Sequence, residues 1–239
     1  DPNAPERTRA MEAYMPGIVA QARRGCVVEQ YMVGGYMYLR SLMGPEGLLY
    51  MFYDDPELIE ECMKAWFTLA DTMIARHQQQ VSLDEILLDE DICYKQGSLI
   101  SPEMIRKFLL PYYEQLIQNA RRRQLDSKRP IQYHVGSDGH FDAVIPLYQQ
   151  TGMNFLSPFE VAADSDVVRT GREYPELLIS GGMDKREMSR GHDAIDRMID
   201  RILPVMQARG GYFPTCDHGV PEEVSLENYM YYRTRCQAF

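Results

Sequence analysis

The sequence has little of what marks nucleic-acid-binding, secreted or membrane proteins. It carries 25 Lys and Arg against 35 Asp and Glu, a formal net charge of -10, whereas nucleic-acid partners require a basic face. The five cysteines include no Cys-x-x-Cys pair, so we expect reduced thiols in an intracellular protein. No apolar run approaches the roughly 20 residues that cross a bilayer, and no signal peptide is recognisable before the first predicted helix. These absences favour a cytoplasmic enzyme that acts on a small molecule, without a nucleic-acid or membrane partner.

The chain also lacks the glycine-rich phosphate turn that opens many doubly wound sheets, because Gly34-Gly35 and Gly181-Gly182 do not have its spacing. What recurs instead is a buried strand, a polar turn and a helix, repeated about six times. Helix start signals accompany this repeat at Asp55-Pro56, Ser101-Pro102 and Ser225. The predicted strands are Cys26–Val33, Glu85–Asp91, Pro130–Val135, Asn154–Glu160, Leu177–Ser180 and the short piece at Tyr212-Phe213.

Acidic or other polar side chains follow almost every predicted strand, and this favours a (β/α)8 TIM barrel over an open sheet. A barrel draws its active site from the carboxyl ends of many strands at once. It also needs about eight strands and typically ~250 residues, whereas only about six strands are predicted, with the deficit at the amino end. We therefore expect one α/β domain over residues 1-239, a barrel that lacks its first two βα units in this chain.

The polar residues at the predicted strand ends indicate a functional site. Carboxylates that crowd a pocket mouth repel one another unless a cation or a protonated partner intervenes. A mixed Asp, Glu and His set suits a divalent metal such as zinc, with one coordination position left open. The best-placed metal ligands are Asp138, Glu160 and His218. The whole set consists of Asp89, Asp91, His134, Asp138, Glu160, Asp184, Lys185, Cys216 and His218.

Each of these residues also has an ordinary structural explanation. A strand-end Asp is often a helix cap, and Asp184 is placed to cap a short helix that begins at Lys185. His134 lies inside a strand, where a hydrogen-bonded core histidine is expected, and Cys216 suits a small buried side chain. The set as a whole is equally consistent with a hydrogen-bond network that holds no metal.

Three stretches carry a resemblance to a known family. The first contains Leu88-Asp89-Glu90-Asp91, then Ser101-Pro102 and Leu110-Pro111-Tyr112; the second is Gly181-Gly182-Met183-Asp184-Lys185; the third is His218-Gly219-Val220-Pro221. Together they resemble the uroporphyrinogen decarboxylase superfamily, with its Asp-bearing strand, its Gly-x-x-Asp strand and its closing His-Gly motif. That superfamily includes corrinoid- and folate-linked methyltransferases on the same barrel. The resemblance implies a (β/α)8 barrel and a homodimer.

Within this superfamily, the sequence resembles the methyltransferase branch more than the decarboxylases. The decarboxylase substrate carries many carboxylates and needs cationic groups around it, whereas Lys185 is the clearest cation here. In the methyltransferase branch, a His-x-Cys motif after the fifth strand and a His or Cys on the last strand bind zinc. Gly136 and Asp138 stand at the two positions of that motif, Glu160 matches a carboxylate of the next strand, and His218 matches the last ligand.

The resemblance therefore implies metal-assisted methyl transfer, or O-demethylation coupled to a corrinoid protein, on a small organic substrate. In this hypothesis Asp138, Glu160 and His218 hold zinc, and His218 and Asp91 are catalytic. Two alternatives stay open: a metal-free decarboxylase in which His218 donates or positions a proton, and a non-catalytic relative that binds a corrinoid or a tetrapyrrole. The residues expected to contact the substrate are Tyr94, Asp184, Lys185 and His134.

Overall fold

Strands and helices alternate along the chain, as the repeat in the sequence predicts. A computed structural model describes residues 1–239. The strands are β1 (Glu29–Val33), β2 (Glu85–Asp89), β3 (Cys93–Tyr94), β4 (Gly97–Ser98), β5 (Gln132–Gly136), β6 (Phe155–Ser157), β7 (Leu178–Ser180) and β8 (Tyr212–Phe213). The α-helices are α1 (Pro5–Arg23), α2 (Gly35–Met43), α3 (Pro45–Asp54), α4 (Pro56–Gln78), α5 (Pro102–Met104), α6 (Leu110–Arg123), α7 (Ile145–Gln150), α8 (Val167–Glu173), α9 (Lys185–Ser189), α10 (His192–Arg209) and α11 (Leu226–Gln237).

Six of the strands form one parallel sheet in the order β1-β2-β5-β6-β7-β8, while β3 and β4 pair separately as a small antiparallel hairpin. The order follows the chain without a reversal, whereas a doubly wound sheet reverses its order at a switch point. The α/β class and the six predicted parallel strands are confirmed. Closure into an eight-stranded barrel and the two absent βα units stay predictions.

The chain divides into two compact units, and each is described by itself. The first unit comprises Asp1–Asp91, Ile100–Val135 and Pro146–Met153. The second comprises Ile92–Leu99, Gly136–Ile145 and Asn154–Phe239. The single domain over residues 1-239 stays a prediction.

The helix start signals of the sequence are confirmed by side-chain caps. The side-chain oxygens of Asp55, Ser101 and Ser225 accept hydrogen bonds from the backbone N–H three residues later, at 3.1, 3.2 and 3.1 Å respectively. Each cap satisfies one of the backbone donors that a helix leaves unpaired at its first turn. These caps fix where α4, α5 and α11 begin.

The first unit packs helices against the pair β1 and β2. These strands are parallel, with Glu29 opposite Glu85 and Val33 opposite Asp89. Helix α4 buries one apolar stripe at helical spacing, and the indole Nε1 of Trp66 on that stripe donates a hydrogen bond to the Val33 carbonyl at 2.8 Å. The stripe consists of Ile59, Met63, Trp66, Ala70 and Ile74.

In the second unit, helix α10 packs against the strand β8, and the strands β6, β7 and β8 pair in parallel. Phe155 and Leu156 of β6 lie opposite Leu178 and Ile179 of β7, and Ile179 lies opposite Tyr212 of β8. The apolar face of α10 is buried as its periodicity predicts. The buried residues of that face are Ala194, Ile195, Met198, Ile199, Ile202, Leu203 and Met206.

None of the helices combines the length and the apolar character that a bilayer-spanning segment needs. The cysteines form no disulfide, as the sequence predicts; they are Cys26, Cys62, Cys93, Cys216 and Cys236.

A buried carboxyl group lies directly after β2 in the first unit. Glu90 is fully buried, and its Oε1 accepts hydrogen bonds from the hydroxyls of Tyr113 and Tyr148, the latter at 3.0 Å. Burial raises the pKa of Glu90 from 4.5 to about 7, although the two tyrosine hydroxyls act in the opposite direction. The side chain therefore titrates in the neutral range.

This pKa predicts a pH dependence of stability. Between pH 4.5 and 7 the folded chain holds a proton on Glu90 that the unfolded chain has lost, so stability falls as pH rises through that range. Above the pKa of the folded state, the free energy of unfolding is about 3 kcal/mol lower than it is below the pKa of the unfolded state. The free energy of unfolding, measured with urea at a series of pH values, should depend less on pH in Glu90→Gln than in the wild type. The exposed Glu12→Gln serves as the control, and an equal dependence of the unfolding free energy on pH in the wild type and Glu90→Gln would contradict the prediction.

Candidate active site

Charged side chains of the second unit gather where its strands end. Asp138 follows β5, Glu160 follows β6, and Lys185 is the first residue of the short helix after β7. Two further residues follow β8. The cluster, which we call the rim cluster, consists of Asp138, Glu160, Lys185, Asp217 and His218.

Asp217 is the buried centre of the rim cluster, with no exposed side-chain surface. Its Oδ2 accepts a hydrogen bond from the Val161 N–H at 3.1 Å, and its Oδ1 accepts one from the Lys185 N–H at 3.2 Å. A carboxylate without solvent is stable only when charges or donors compensate it. Here two backbone donors from separate segments do so, and Asp217 thereby holds the segments after β6 and β7 together.

The ammonium group of Lys185 lies between two carboxylates. Its Nζ is 3.6 Å from Asp217 Oδ1 and 3.8 Å from Glu160 Oε1, and the lysine side chain is 22% exposed. At these separations, in a partly buried setting, opposite charges attract appreciably. The lysine therefore supplies the cation that the crowded carboxylates require.

Glu160 links this ion pair to the segment after β5. Its Oε2 accepts a hydrogen bond from the Gly139 N–H at 3.1 Å. Gly139 has φ +82 and lies so close to the backbone of Tyr94 that a side chain there would collide with it at 2.7 Å. Only glycine adopts this positive φ readily and also lacks the Cβ atom that would collide with Tyr94. The hairpin that carries Tyr94 is thereby held against the rim cluster, and 46% of the Tyr94 surface is exposed.

His218 and Asp138 form the open edge of the rim cluster. His218 Nε2 lies 3.3 Å from Asp138 Oδ2, and the two side chains are 50% and 46% exposed. An imidazole beside a carboxylate at a solvent-accessible position can accept, hold or donate a proton. The sequence predicts that these two residues converge, and the structure confirms that they do.

Two other strand-end residues of the second unit have structural partners. Asp184 caps α9 through the Arg186 N–H at 2.8 Å and pairs with the Arg186 guanidinium, also at 2.8 Å. Although burial acts to raise it, the pKa of Asp184 is lowered by these bonds to Arg186. Burial raises the pKa of the Cys216 thiol, which lies 3.8 Å from Asp217 Oδ1. The cap explanation for Asp184 is confirmed, and its contact with substrate stays a prediction.

Two predicted site residues belong to the first unit. Asp91 is ion-paired with Arg40 of α2 and has φ 41, a left-handed backbone conformation that is rare for residues other than glycine. His134 is buried, and its Nδ1 lies 2.6 Å from Glu85 Oε1. The interpretation of His134 as a hydrogen-bonded core histidine is confirmed. The catalytic role of Asp91 and the substrate contact of His134 stay predictions.

Three predicted zinc ligands do not form one binding set. Asp138 and His218 face each other, but Glu160 is held by the Lys185 ammonium and the Gly139 N–H. No three His, Cys, Asp or Glu side chains of the chain are arranged to hold a metal ion. These side chains therefore do not fit the predicted zinc, because the ammonium of Lys185 already supplies the positive charge beside Glu160.

Sequence reasoning missed the most buried member of the rim cluster. Asp217 is adjacent to His218 in the polar stretch after β8, and that proximity is the one signal that could have identified it. Nothing in the sequence marks Arg40 as the partner of Asp91, because the two residues are brought together only by the fold.

The arrangement of Lys185 predicts the metal content of the protein. Because Glu160 is paired with this lysine, we expect elemental analysis of protein purified without chelator to find zinc well below one atom per chain. Stoichiometric zinc that disappears in His218→Ala and persists in the matched surface variant His192→Ala would contradict this expectation. That outcome would restore the ligand set predicted from the sequence.

Known proteins share both the sequence pattern and the fold. The sequence profile of the uroporphyrinogen decarboxylase (URO-D) family matches residues 31–239. A uroporphyrinogen decarboxylase of Trichlorobacter lovleyi is 24% identical over 135 residues, which cover 55% of this chain and 36% of that protein. The solved structure of a methyltransferase from Methanosarcina mazei is similar with a TM-score of 0.62 and 16% identity, covering 89% of this chain and 59% of that one.

These similarities support different conclusions. The likeness to the methyltransferase shows the fold alone, since the identity is 16%. The chain spans 36% of the length of the matched decarboxylase and 59% of that of the methyltransferase. The profile match, in contrast, covers most of the chain. The chain belongs to the uroporphyrinogen decarboxylase family.

Proposed function

We propose that the chain is an enzyme that transfers a methyl group from a small organic substrate. The observation that carries the proposal is the charge of the rim cluster, in which Glu160 and Asp217 flank the ammonium of Lys185 while Asp138 faces His218. A substrate with many carboxylates needs several cationic groups around it. Three carboxylates against one ammonium repel such a substrate and favour a neutral or cationic one.

The residues of the rim cluster have distinct parts in this proposal. Lys185 offers a positive charge that the buried Asp217 fixes in place. His218 and Asp138 form the exposed pair that holds or moves a proton at Nε2 of the imidazole. In methyl transfer the methyl carbon leaves an oxygen, which keeps the bonding electron pair, and bonds to a nucleophilic acceptor. A proton from His218 neutralises that oxygen.

The remaining expectations belong to the same proposal. The strands of the parallel sheet lie in sequence order, and the fold is similar to that of a methyltransferase. Both observations support a (β/α)8 barrel, which would need two further βα units. We propose a corrinoid protein as the methyl acceptor, a homodimer as the assembly and the cytoplasm as the location. Asp91 and Tyr94 face the substrate in this proposal, and His134 and Asp184 contact or orient it.

A second candidate is metal-free decarboxylation. It is favoured by the 24% identity to a uroporphyrinogen decarboxylase and by the family to which the chain belongs. In this reaction His218 would donate or position the proton that replaces a lost carboxylate. The charge of the rim cluster is the argument against it.

Parallel assays distinguish the two reactions. One assay follows methylation of reduced cobalamin in the presence of methoxylated aromatic compounds, and the other follows the porphyrins formed from uroporphyrinogen. We expect methylcobalamin from the wild type and a loss of at least about 100-fold in His218→Ala, because a positioned acid or base contributes that much. His192→Ala, a histidine outside the rim cluster, should keep its rate.

Decarboxylated porphyrin without methylcobalamin would contradict the proposal and favour the second candidate. Binding of cobalamin without turnover in either assay would instead indicate the non-catalytic corrinoid-binding relative.

A further inference from the structure

The ammonium of Lys185 lies between two carboxylates, yet its nitrogen makes no hydrogen bond to the protein. Its distances of 3.6 Å to Asp217 Oδ1 and 3.8 Å to Glu160 Oε1 are those of ion pairs. Both exceed the donor–acceptor range of a hydrogen bond. An ammonium has three N–H donors and no acceptor. All three donors of Lys185 are therefore free of protein acceptors.

Backbone N–H groups fix the positions of the two carboxylates beside the Lys185 ammonium. Asp217 accepts from the Val161 and Lys185 backbone N–H groups at 3.1 and 3.2 Å, and Glu160 accepts from the Gly139 N–H at 3.1 Å. These bonds fix the positions of the carboxylates, while the Lys185 ammonium balances their negative charge. The lysine side chain is 78% removed from solvent, since its exposed fraction is 22%. Part of the side chain is therefore open to solvent, and an acceptor atom of a ligand can reach the three donors.

The acceptor that fits is a neutral one. A carboxylate brought to Lys185 would meet one ammonium and the two carboxylates beside it, with Asp138 at the edge of the same cluster. The repulsion from these like charges offsets the attraction to the single cation. A neutral oxygen gains the hydrogen bond without that repulsion, and bonds to a charged donor are stronger than neutral ones.

We propose that Lys185 binds the substrate through a neutral acceptor oxygen, that of an ether or a carbonyl group, and is the residue that selects this class over carboxylates. The inference rests on the proposed function in one respect: it takes the rim cluster as the substrate site. The exposed ring of Tyr94, whose backbone packs against Gly139, offers an apolar surface nearby for an aromatic body.

The test compares three benzene derivatives of similar size by ligand-observed NMR titration. Methoxybenzene carries a neutral ether oxygen, ethylbenzene carries no acceptor, and benzoate carries a carboxylate. We expect the wild type to bind methoxybenzene about tenfold more tightly than ethylbenzene or benzoate. In Lys185→Met, which keeps most of the aliphatic stem, methoxybenzene should bind roughly 10- to 100-fold more weakly, while ethylbenzene is unchanged.

Two further variants make the test decisive. Lys64→Met removes an exposed lysine of the first unit and should leave all three affinities unchanged. If Lys185→Met fails to fold because Asp217 has lost its counter-charge, Lys185→Arg keeps the charge and still donates hydrogen bonds. Lys185→Arg should preserve the order of the three probes, with methoxybenzene first.

Three results would overturn the inference: equal methoxybenzene affinity in the wild type and Lys185→Met, a wild-type preference for benzoate, or no binding of methoxybenzene at all. The readout is binding and does not depend on turnover. A wild type that binds methoxybenzene through Lys185 but forms no methylcobalamin would refute the proposed reaction and leave this inference standing.

Discussion

A single buried carboxylate organises the chemistry of the second unit. Asp217 has no exposed side-chain surface, accepts backbone hydrogen bonds from Val161 and Lys185, and lies 3.6 Å from the Lys185 ammonium. Burial of an isolated carboxylate is strongly unfavourable, so each of these contacts is required once the residue is inside. The same contacts bring together the segments that follow β6, β7 and β8. The position of the neighbouring His218 depends on them.

The family and the site give complementary information. Membership in the uroporphyrinogen decarboxylase family follows from the match over residues 31–239, and a fold of this kind supports more than one reaction. The choice among reactions lies in the side chains at the strand ends. In this chain those of the rim cluster are mostly acidic, with one lysine held among them, and the proposed function rests on that balance of charge.

Much of the fold could be predicted from the sequence because it depends on local signals. Asp55, Ser101 and Ser225 cap helices where the capping pattern places them, and the strand-and-helix repeat predicts the six parallel strands. The superfamily was also recognisable from its motifs, and the profile match confirms it. These features are encoded by residues a few positions apart.

The site was harder to predict because its contacts join residues that are distant in the sequence. The sequence predicts that Asp138, Glu160 and His218 converge after their strands; Asp138 and His218 are 3.3 Å apart, whereas Glu160 pairs with Lys185. Lys185 and Glu160 form an ion pair at 3.8 Å, although they lie on different segments. No spacing in the sequence specifies such a distance. The sequence places Glu160 among the zinc ligands, whereas in the structure Glu160 is ion-paired with Lys185.

The central claim is that Asp217 and Lys185 act as one unit, and a double-mutant cycle on unfolding free energy tests it most directly. The cycle compares wild type, Asp217→Asn, Lys185→Met and the double variant by urea unfolding. Removing one member of a buried pair leaves the other uncompensated, so each single change should cost about 3 kcal/mol. We expect the double variant to be more stable than the sum of the single losses predicts by at least about 1 kcal/mol. Additive losses would contradict the account.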